Sequence, residues 1–296
     1  MYNYMLETFI AVAESGSFSK AAERLFMSPT AVMKQINSLE KHLDLRLFER
    51  RPSGIKLTGS GEVIVRNARF IINFSQKSIA EAKYAERSAD NIFCVGSSLL
   101  NPAKPFFELW YKLNSSFSDF KLNIVPFDDN CNGILSEISA LGEKFDFLVG
   151  VCDSKIWLDR CNMLELGHYR KMLAVPQEHR LARKSIIELE DLHGETLMMV
   201  KRGDSGLNDL LRSELERFHP KIKIENTQQF YDLSVFNRCV KTGNVLLTIE
   251  CWRDVHPGIV TIPVNWDYTI PYGLLYSLEP SENVRRFLDA AKTLRQ

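Results

Sequence analysis

Polar side chains between Thr30 and Ser38 recur at the spacing of one helix face. The face carries Thr30, Met33, Lys34, Asn37 and Ser38. Hydroxyl, amide and ammonium groups form hydrogen bonds with phosphate oxygens and with base edges in the major groove of DNA. We therefore predict that this face contacts DNA, together with Ser28 and Pro29 at the start of the same helix.

The residues around this face predict the helix that carries it. Ser28 is a favourable N-cap, because its hydroxyl can accept a hydrogen bond from a helix-start N–H. Pro29 suits the first helical position, where its missing N–H costs nothing. Apolar residues follow at helical spacing and predict one buried face. They are Val32, Ile36, Leu39 and Leu43.

A shorter helix is predicted before this one, from about Ser19 as its N-cap through Leu25. Its small Ala21 and Ala22 allow two helices to cross closely, as a helix-turn-helix requires. On these residues alone, a helical hairpin in an ordinary globular core explains the pattern equally well.

Two short extended runs surround Pro52-Ser53-Gly54 and predict a turn between two strands. Beside a helix-turn-helix this hairpin would form a wing. Arg50, Arg51 and Lys56 would then meet phosphate groups, or Arg51 a minor groove. The alternative is a hairpin tip exposed to solvent, and the neighbouring helix pair favours the wing.

Residues 1–62 resemble the N-terminal module of LysR-type transcriptional regulators in order, spacing and residue type. The matching pieces are an amphipathic opening helix, the SGSFSKAAERL block, the SPTAVMKQINSLE helix and the LxLFER segment. The family usually has Gln at Pro29, Ser at Met33 and Gly at Asp44. Asp tolerates left-handed geometry, so we expect Asp44 to keep the turn. The departures at Pro29 and Met33 concern which bases are contacted. The resemblance implies a winged helix-turn-helix that binds DNA.

Thr58 is predicted to cap a long helix from Gly59 to about Arg87. Apolar and small residues alternate in steps of three and four along it, which is typical of a coiled-coil seam. They are Val65, Ala68, Ile72, Ser75, Ile79 and Ala82. The resemblance implies an antiparallel linker-helix dimer, whereas the alternative is that this seam packs on the chain's own body.

From Asn91 onward, strands alternate with helices in a β-α-β-α-β order, which predicts a mostly parallel sheet covered by helices. The segments YRKMLAVPQEHRLA, IIELEDLHGE and KTGNVLLTI resemble the regulatory part of LysR-type proteins, which implies two α/β lobes like those of periplasmic binding proteins. The fold class is therefore α/β. The predicted domains are 1–58 (winged helix-turn-helix), 59–88 (linker helix) and 89–296 (regulatory). Within the last, lobe 1 comprises about 91–163 and 265–296, and lobe 2 about 164–264.

Ligands of open α/β sheets bind beyond the carboxyl ends of the strands. Polar residues follow the predicted strands there, and Lys201 with Arg202 favours an anionic effector. Taken one at a time, each residue is equally explained as part of an ordinary polar loop. The candidate effector-binding residues are Ser97, Ser98, Leu99, Asn101, Asp128, Cys152, Lys201, Arg202, Asp204, Ser205 and Glu250.

Several functional classes lack support in the sequence. The 296 residues contain 37 Lys and Arg and 37 Asp and Glu. Residues 1–89 contain 13 of the Lys and Arg residues and 9 of the Asp and Glu residues. A basic head on an acidic body fits DNA binding. The six cysteines have no metal-binding spacing and are expected to be reduced and buried, with a Cys152–Cys161 redox switch as the alternative. Nucleophile, phosphate-loop and dinucleotide motifs are absent, as are a signal peptide and a membrane-length apolar run. We therefore expect a cytoplasmic protein that is not an enzyme and uses no cofactor or metal.

The combined expectation is a LysR-type regulator whose small-molecule effector binds between the two lobes. The expected partners are double-stranded DNA with an inverted-repeat operator, a second copy in a dimer or tetramer, and RNA polymerase if the protein is an activator. No membrane partner is expected. The alternatives are an architectural DNA-binding protein without an effector, or an enzyme that uses the α/β domain.

Overall fold

The computed structural model describes residues 1–51, 54–89, 91–129 and 133–294. The chain forms two units, Met1–Lys83 and Tyr84–Gln296, and each is described by itself. None of the helices in the described ranges has the length and hydropathy needed to cross a bilayer.

The first unit is a helix-turn-helix followed by a two-stranded hairpin and the start of a long helix. Its elements are α1 (Met5–Ser15), α2 (Phe18–Arg24), α3 (Pro29–Leu43), β1 (Phe48–Arg51), β2 (Gly54–Leu57) and α4 (Gly59–Ala89). The strands pair antiparallel, with Phe48 opposite Leu57. The side chains of Arg50 and Arg51, and the predicted Pro52-Ser53 turn, lie outside the described residues.

Helix α3 forms as its sequence predicts. The Ser28 Oγ accepts a hydrogen bond from the Ala31 N–H at 3.2 Å, and Pro29 is the first helical residue. Val32, Ile36 and Leu39 are buried in a core that they share with α1 and α2. Asp44 ends the helix in the left-handed region, at φ 52°. Local capping and one apolar face therefore fix this helix.

Helix α2 has its N-cap at Ser17, two residues before the predicted N-cap Ser19. Gly16 ends α1 at φ 61°, and Ser17 is extended, so the helix starts at Phe18. The Phe18 ring packs edge-on against Phe48, with centroids 6.3 Å apart. This tertiary contact places Phe18 inside the helix, and nothing in the local sequence requires it.

Helix α4 starts at the predicted cap, where the Thr58 Oγ1 accepts from the Gly61 N–H at 2.9 Å. Three residues of the predicted seam, Ala68, Ile72 and Ser75, are already buried in the single chain. Different apolar side chains are exposed. Phe70 and Phe74 are 70% and 60% exposed, and their rings stack with centroids 6.0 Å apart. This part of the predicted seam therefore packs on the chain itself.

The second unit has two α/β lobes. Its elements are β3 (Ile92–Ser97), α5 (Lys104–Leu113), β4 (Lys121–Pro126), α6 (Ile134–Ser139), β5 (Phe147–Val151), α7 (Lys155–Leu158), β6 (Asn162–Pro176), β7 (Thr196–Met199), α8 (Gly206–Phe218), β8 (Lys223–Asn226), α9 (Leu233–Thr242), β9 (Val245–Ile249), β10 (Ile259–Ile262), β11 (Thr269–Tyr276) and α10 (Glu282–Thr293). Short 3-10 turns occur at Asn114–Phe117, Arg180–Arg183, Leu189–Leu192 and Glu250–Trp252.

The strand order is β4-β3-β5-β11-β6-β9-β7-β8, with β10 on β6. In lobe 1, β3 is parallel to β4 and β5, and in lobe 2, β7 is parallel to β8 and β9. Strands β6 and β11 are antiparallel to each other and cross between the lobes. The predicted two-lobed α/β fold is confirmed. Strand β6 is 15 residues long, and the four-residue β10 pairs with it.

Apolar clusters cover both faces of each lobe's sheet. In lobe 1, Phe93, Phe106, Phe147 and Phe287 pack together under α5 and α10. At the crossing, β11 bulges between Tyr272 and Gly273, and a Cβ on Gly273 would lie 2.2 Å from the Leu164 oxygen. Glycine is required there because the two crossing backbones approach so closely. The packed lobes and the tight crossing hold the loops at the carboxyl strand ends.

Candidate nucleic-acid interface and ligand pocket

The exposed face of α3 carries the predicted DNA-contacting residues. Six of them are exposed and Met33 is half-buried, while Lys56 is exposed on β2. The exposed six are Ser28, Pro29, Thr30, Lys34, Asn37 and Ser38. The buried face of the same helix fixes their direction. Their contact with DNA stays a prediction.

Phe26 is an exposed aromatic residue beside this face that sequence reasoning missed. It lies in the turn between α2 and α3, is 98% exposed and adopts φ 53°. A phenyl ring is an apolar partner for a thymine methyl group. In the sequence, Phe26 could have been recognised as a large apolar residue two positions before the N-cap Ser28, outside the apolar periodicity of either helix.

A cavity of about 120 Å³ lies between the lobes of the second unit. It is lined by the residues that follow β3, β4, β5, β7, β8 and β9, as the rule for open α/β sheets predicts. Four of the eleven predicted effector residues line it. They are Asn101, Lys201, Asp204 and Ser205.

The other seven predicted residues lie outside the cavity lining. Three belong to the β3 loop: Ser97 Oγ accepts from the Ala103 N–H at 3.2 Å, Ser98 donates to Asp129 at 2.5 Å, and Leu99 is exposed. Cys152 is buried in a lobe 1 core. Asp128 precedes the lining residue Asp129, and Glu250 accepts from the Arg170 N–H at 3.2 Å.

Arg202 is directed away from the cavity. Its guanidinium forms an ion pair with Glu216 at 2.7 Å and a hydrogen bond with Ser213 at 2.9 Å, both on α8. Of the two predicted cations, only Lys201 lines the cavity.

The buried cation of the cavity is Lys171, at the point where β6 enters lobe 2. It is 2% exposed, and its ammonium donates to Asn208 Oδ1 at 2.5 Å. Burial lowers the pKa of Lys171 to about 8, and the charge of Asp153 opposes this shift. Sequence reasoning missed Lys171, although a lysine directly before the apolar run MLAV was a usable signal.

Asp129 is bonded entirely within lobe 1. It accepts from the Ser98 hydroxyl at 2.5 Å, the Leu100 N–H at 2.9 Å and the Asn101 side-chain amide at 2.9 Å. The loop after β3 therefore already holds a carboxylate that the chain itself supplies.

Two further aspartates cross between the lobes and cap each other's helices. Asp153 of lobe 1 accepts from the Ser205 hydroxyl at 2.7 Å and the Leu207 N–H at 2.9 Å, at the start of α8 in lobe 2. In return, Asp204 of lobe 2 accepts from the Ser154 hydroxyl at 2.6 Å and the Ile156 N–H at 3.0 Å, at the start of α7 in lobe 1. We call this pair the aspartate latch. Carboxylates at helix N-termini are favourable, so the latch stabilises this arrangement of the lobes.

Aromatic side chains form the apolar walls of the cavity. Trp157 of lobe 1 packs against Phe230 of lobe 2 with ring centroids 5.8 Å apart, and Tyr231 packs against Trp252 at 5.6 Å. The Trp252 indole N–H donates to the Leu100 carbonyl across the lobes at 2.8 Å. The cavity therefore combines tilted aromatic ring pairs with a few buried polar groups, as small-molecule sites do.

Burial also determines the chemistry of the neighbouring thiols. It raises the pKa of Cys152 to about 12 and that of Cys161 to about 11. Both are therefore thiols at neutral pH, and this disfavours the redox switch. In the described ranges, no group of three or more His, Cys, Asp or Glu side chains is arranged to hold a metal ion.

Family profiles match both parts of this chain. The profile described as bacterial regulatory helix-turn-helix protein, lysR family, matches residues 4–62, and that of the LysR substrate binding domain matches residues 140–295. The transcriptional regulator CysL of Bacillus subtilis (strain 168) is 26% identical over 218 residues, which cover 71% of this chain and 68% of CysL.

Other similarities are partial in length or concern the fold alone. An uncharacterized HTH-type transcriptional regulator of Methanocaldococcus jannaschii, MJ0300, is 27% identical over 197 residues, covering 63% of this chain and 60% of that protein. The match therefore spans less than two thirds of MJ0300. The crystal structure of CbnR, a LysR family transcriptional regulator, has a TM-score of 0.61 at 17% identity and covers 100% of both chains. Since the substrate-binding profile alone matches more than half of the sequence, the chain belongs to the LysR family of transcriptional regulators.

Proposed function

We propose that this protein regulates transcription by placing α3 in the major groove of DNA, with the β1–β2 wing on the backbone. The observation that carries this proposal is the two-sided α3: a buried apolar face holds it, and its capped start and exposed polar face point outward. Such a helix reads base edges while flanking basic groups contact phosphate. The protein then acts where DNA is, in the cytoplasm, by binding and not by catalysis.

A second copy of the chain is the partner we propose for α4. The stacked Phe70 and Phe74, with Val63 and Ile71, form an exposed apolar stripe that a single chain leaves in contact with water. An antiparallel pair of α4 helices would bury it. We therefore propose the linker-helix dimer with this stripe at its interface, and not the buried part of the predicted seam. Two-fold pairing implies an inverted-repeat operator, and two dimers can form a tetramer.

The second unit would couple a small-molecule effector to this DNA binding. An effector in the cavity touches both lobes, so it favours the arrangement that it fits better, to the extent that its affinities for the two arrangements differ. We propose an anionic effector, supported by Lys201 at the cavity and the buried Lys171. The changed lobe arrangement would alter the angle between DNA-binding heads and, in an activator, contact with RNA polymerase.

The test is a binding selection from random duplexes with the purified protein at two salt concentrations. We expect enrichment of an interrupted inverted repeat, whose half-sites are separated by about one helical turn or a multiple of it. Binding to the enriched site should weaken with salt, because phosphate contacts release counterions.

Binding that is sensitive to salt but enriches no sequence would contradict sequence-specific regulation and would favour an architectural role. Enrichment of a single half-site without two-fold symmetry would leave DNA recognition intact and contradict the dimer.

A further inference from the structure

The charged groups around the cavity differ in the hydrogen-bond partners that the chain gives them. The three carboxylates Asp129, Asp153 and Asp204 each accept two or three hydrogen bonds from hydroxyl or amide donors of the chain. Lys171, in contrast, donates to the neutral amide of Asn208, and among the described residues no carboxylate forms an ion pair with it. The charge of Asp153 offsets only part of the cost of burying this cation, because its pKa is still lowered, and a ligand anion would offset more of that cost.

The size of the cavity limits what can bring this anion. Its volume of about 120 Å³ is close to that of an apolar protein cavity of about 150 Å³ that holds one benzene molecule. A space of this size matches one six-membered ring with a short acidic side chain more closely than it matches a nucleotide or a disaccharide.

The walls favour a flat apolar body over an aliphatic one. Trp157 and Phe230 from opposite lobes, together with Tyr231 and Trp252, give the cavity four aromatic rings. Aromatic rings pack well against one another in stacked or edge-on geometry. In the described part of the chain, the Trp157 indole N–H and the Thr248 hydroxyl also lack hydrogen-bond partners, and both residues line the cavity. Ligand oxygens would satisfy such buried polar atoms.

We propose that the effector is a small one-ring aromatic carboxylate, whose carboxylate pairs with the Lys171 ammonium and whose ring lies among Trp157, Phe230, Tyr231 and Trp252. This inference rests on the proposed effector role of the cavity and narrows it to a chemical class and an anchor. Lys171 would act as the binding cation, while Arg202 remains paired with Glu216.

The test is a titration of the full-length protein with three probes of one shape and different charge. They are phenylacetate, phenylacetamide and 2-phenylethylamine, followed by calorimetry. We expect saturable binding of phenylacetate, and binding of the neutral amide weaker by about tenfold to a hundredfold, because a charge-assisted hydrogen bond is lost. The amine should bind more weakly still.

Lys171→Met is the decisive variant. Lys112→Met is its matched control, because Lys112 is an exposed lysine on α5 that does not line the cavity. Lys171→Met should lose the preference for the carboxylate over the amide, and Lys112→Met should keep it. Lys171→Met should also melt at or above the temperature of the ligand-free wild type, because a buried charge has been removed. Lost binding cannot then be attributed to unfolding.

Three outcomes would overturn the inference: no saturable binding of phenylacetate, equal or tighter binding of the amide or the amine, or a carboxylate preference that survives in Lys171→Met. None of them bears on the enrichment of an operator from random duplexes. Failure of this inference is therefore distinguishable from failure of the proposed function.

Discussion

At the scale of single residues, the polar groups on α3 and the buried Lys171 depend on opposite surroundings. The α3 side chains are exposed, and their proposed role is to contact DNA. Lys171 is enclosed, and its pKa of about 8 already records the cost of its charge. Substitutions at the two places should therefore differ in their effect on the folded protein as well as on binding.

Lys34→Ala should weaken binding to most DNA sequences and reduce the slope of log affinity against log salt by about 1, since one phosphate contact is lost. Thr30→Ala should relax sequence preference more than total affinity. Affinity measured on operator and scrambled duplexes over a salt series checks both, with Lys223→Ala on β8 as the control. A loss for Lys34→Ala confined to one base position would mean that Lys34 contacts a base.

The affinity for phenylacetate should fall as the pH rises above about 8, by up to tenfold per pH unit, because Lys171 loses its proton there. The other charged groups at the cavity are Asp129, Asp153, Asp204 and Lys201. Calorimetry of Lys171→Met over the same pH range isolates the lysine, because its profile should be flat. A parallel decline in that variant would assign the effect to another group.

The same shift has a consequence for stability with a definite sign. The folded-state pKa of Lys171 is lower than the ordinary value of 10.5, so the unfolded chain binds more protons between about pH 8 and 10.5. The contribution of Lys171 to the free energy of unfolding of the ligand-free protein therefore increases with pH in that window. Below about pH 8 its full penalty is present.

At the scale of elements, α4 illustrates how one helix divides its faces between two kinds of contact. Ala68, Ile72 and Ser75 are buried in the single chain, and Arg69 forms an ion pair with Glu14 of α1 at 2.9 Å. The guanidinium of Arg24, and secondarily that of Arg69, keeps the pKa of Glu14 below its usual range. The opposite face exposes Phe70 and Phe74. That second face remains available to a partner.

Replacing Phe70 and Phe74 together by Ser should abolish or weaken the dimer without lowering the melting temperature of the monomer, because both rings are already in water there. Sedimentation velocity measures the change. Ile72→Ser is the contrasting variant, and since Ile72 is buried it should destabilise the fold by roughly 2–4 kcal/mol. Unchanged dimerisation of the double variant would place the interface elsewhere.

At the scale of the whole molecule, the aspartate latch joins the two lobes through reciprocal helix caps. Each carboxylate belongs to one lobe and neutralises the start of a helix in the other. An effector that changes the lobe arrangement would break these bonds, whereas an effector that fits the present arrangement would preserve them. We therefore expect cavity occupancy to affect the rest of the unit through the latch.

Asp153→Asn should open the latch on both sides. Hydrogen exchange at the Leu207 amide should accelerate, because its acceptor is weakened, and exchange at the Ile156 amide should accelerate as well, although its own acceptor, Asp204, is unchanged. Asp129→Asn, whose bonds stay inside lobe 1, is the control and should affect only the β3 loop. Faster exchange at Leu207 alone would show a local cap and contradict the latch.

The sequence alone determined what depends on neighbours along the chain. The Ser28 cap, the Pro29 start and the buried spacing of Val32, Ile36 and Leu39 require only local hydrogen bonds and helical periodicity. The alternation of strands and helices likewise predicted the two-lobed architecture and the strand ends where the cavity lies. Asn101, Lys201, Asp204 and Ser205 line it, as the strand-end rule predicts.

Only the tertiary structure decided which side chains meet across the chain. Arg202 and Lys201 are adjacent in sequence, but Arg202 pairs with Glu216 on α8 whereas Lys201 lines the cavity. In the sequence, Lys171 is a single charge on a strand. In the structure it is a candidate anchor, because β6 crosses into lobe 2 beside α8. Surfaces that are distant in sequence decide which face of α4 is buried. They also decide that Asp153 and Asp204 each cap a helix of the other lobe. Side-chain direction and desolvation are set by those distant surfaces, and local periodicity carries no information about them.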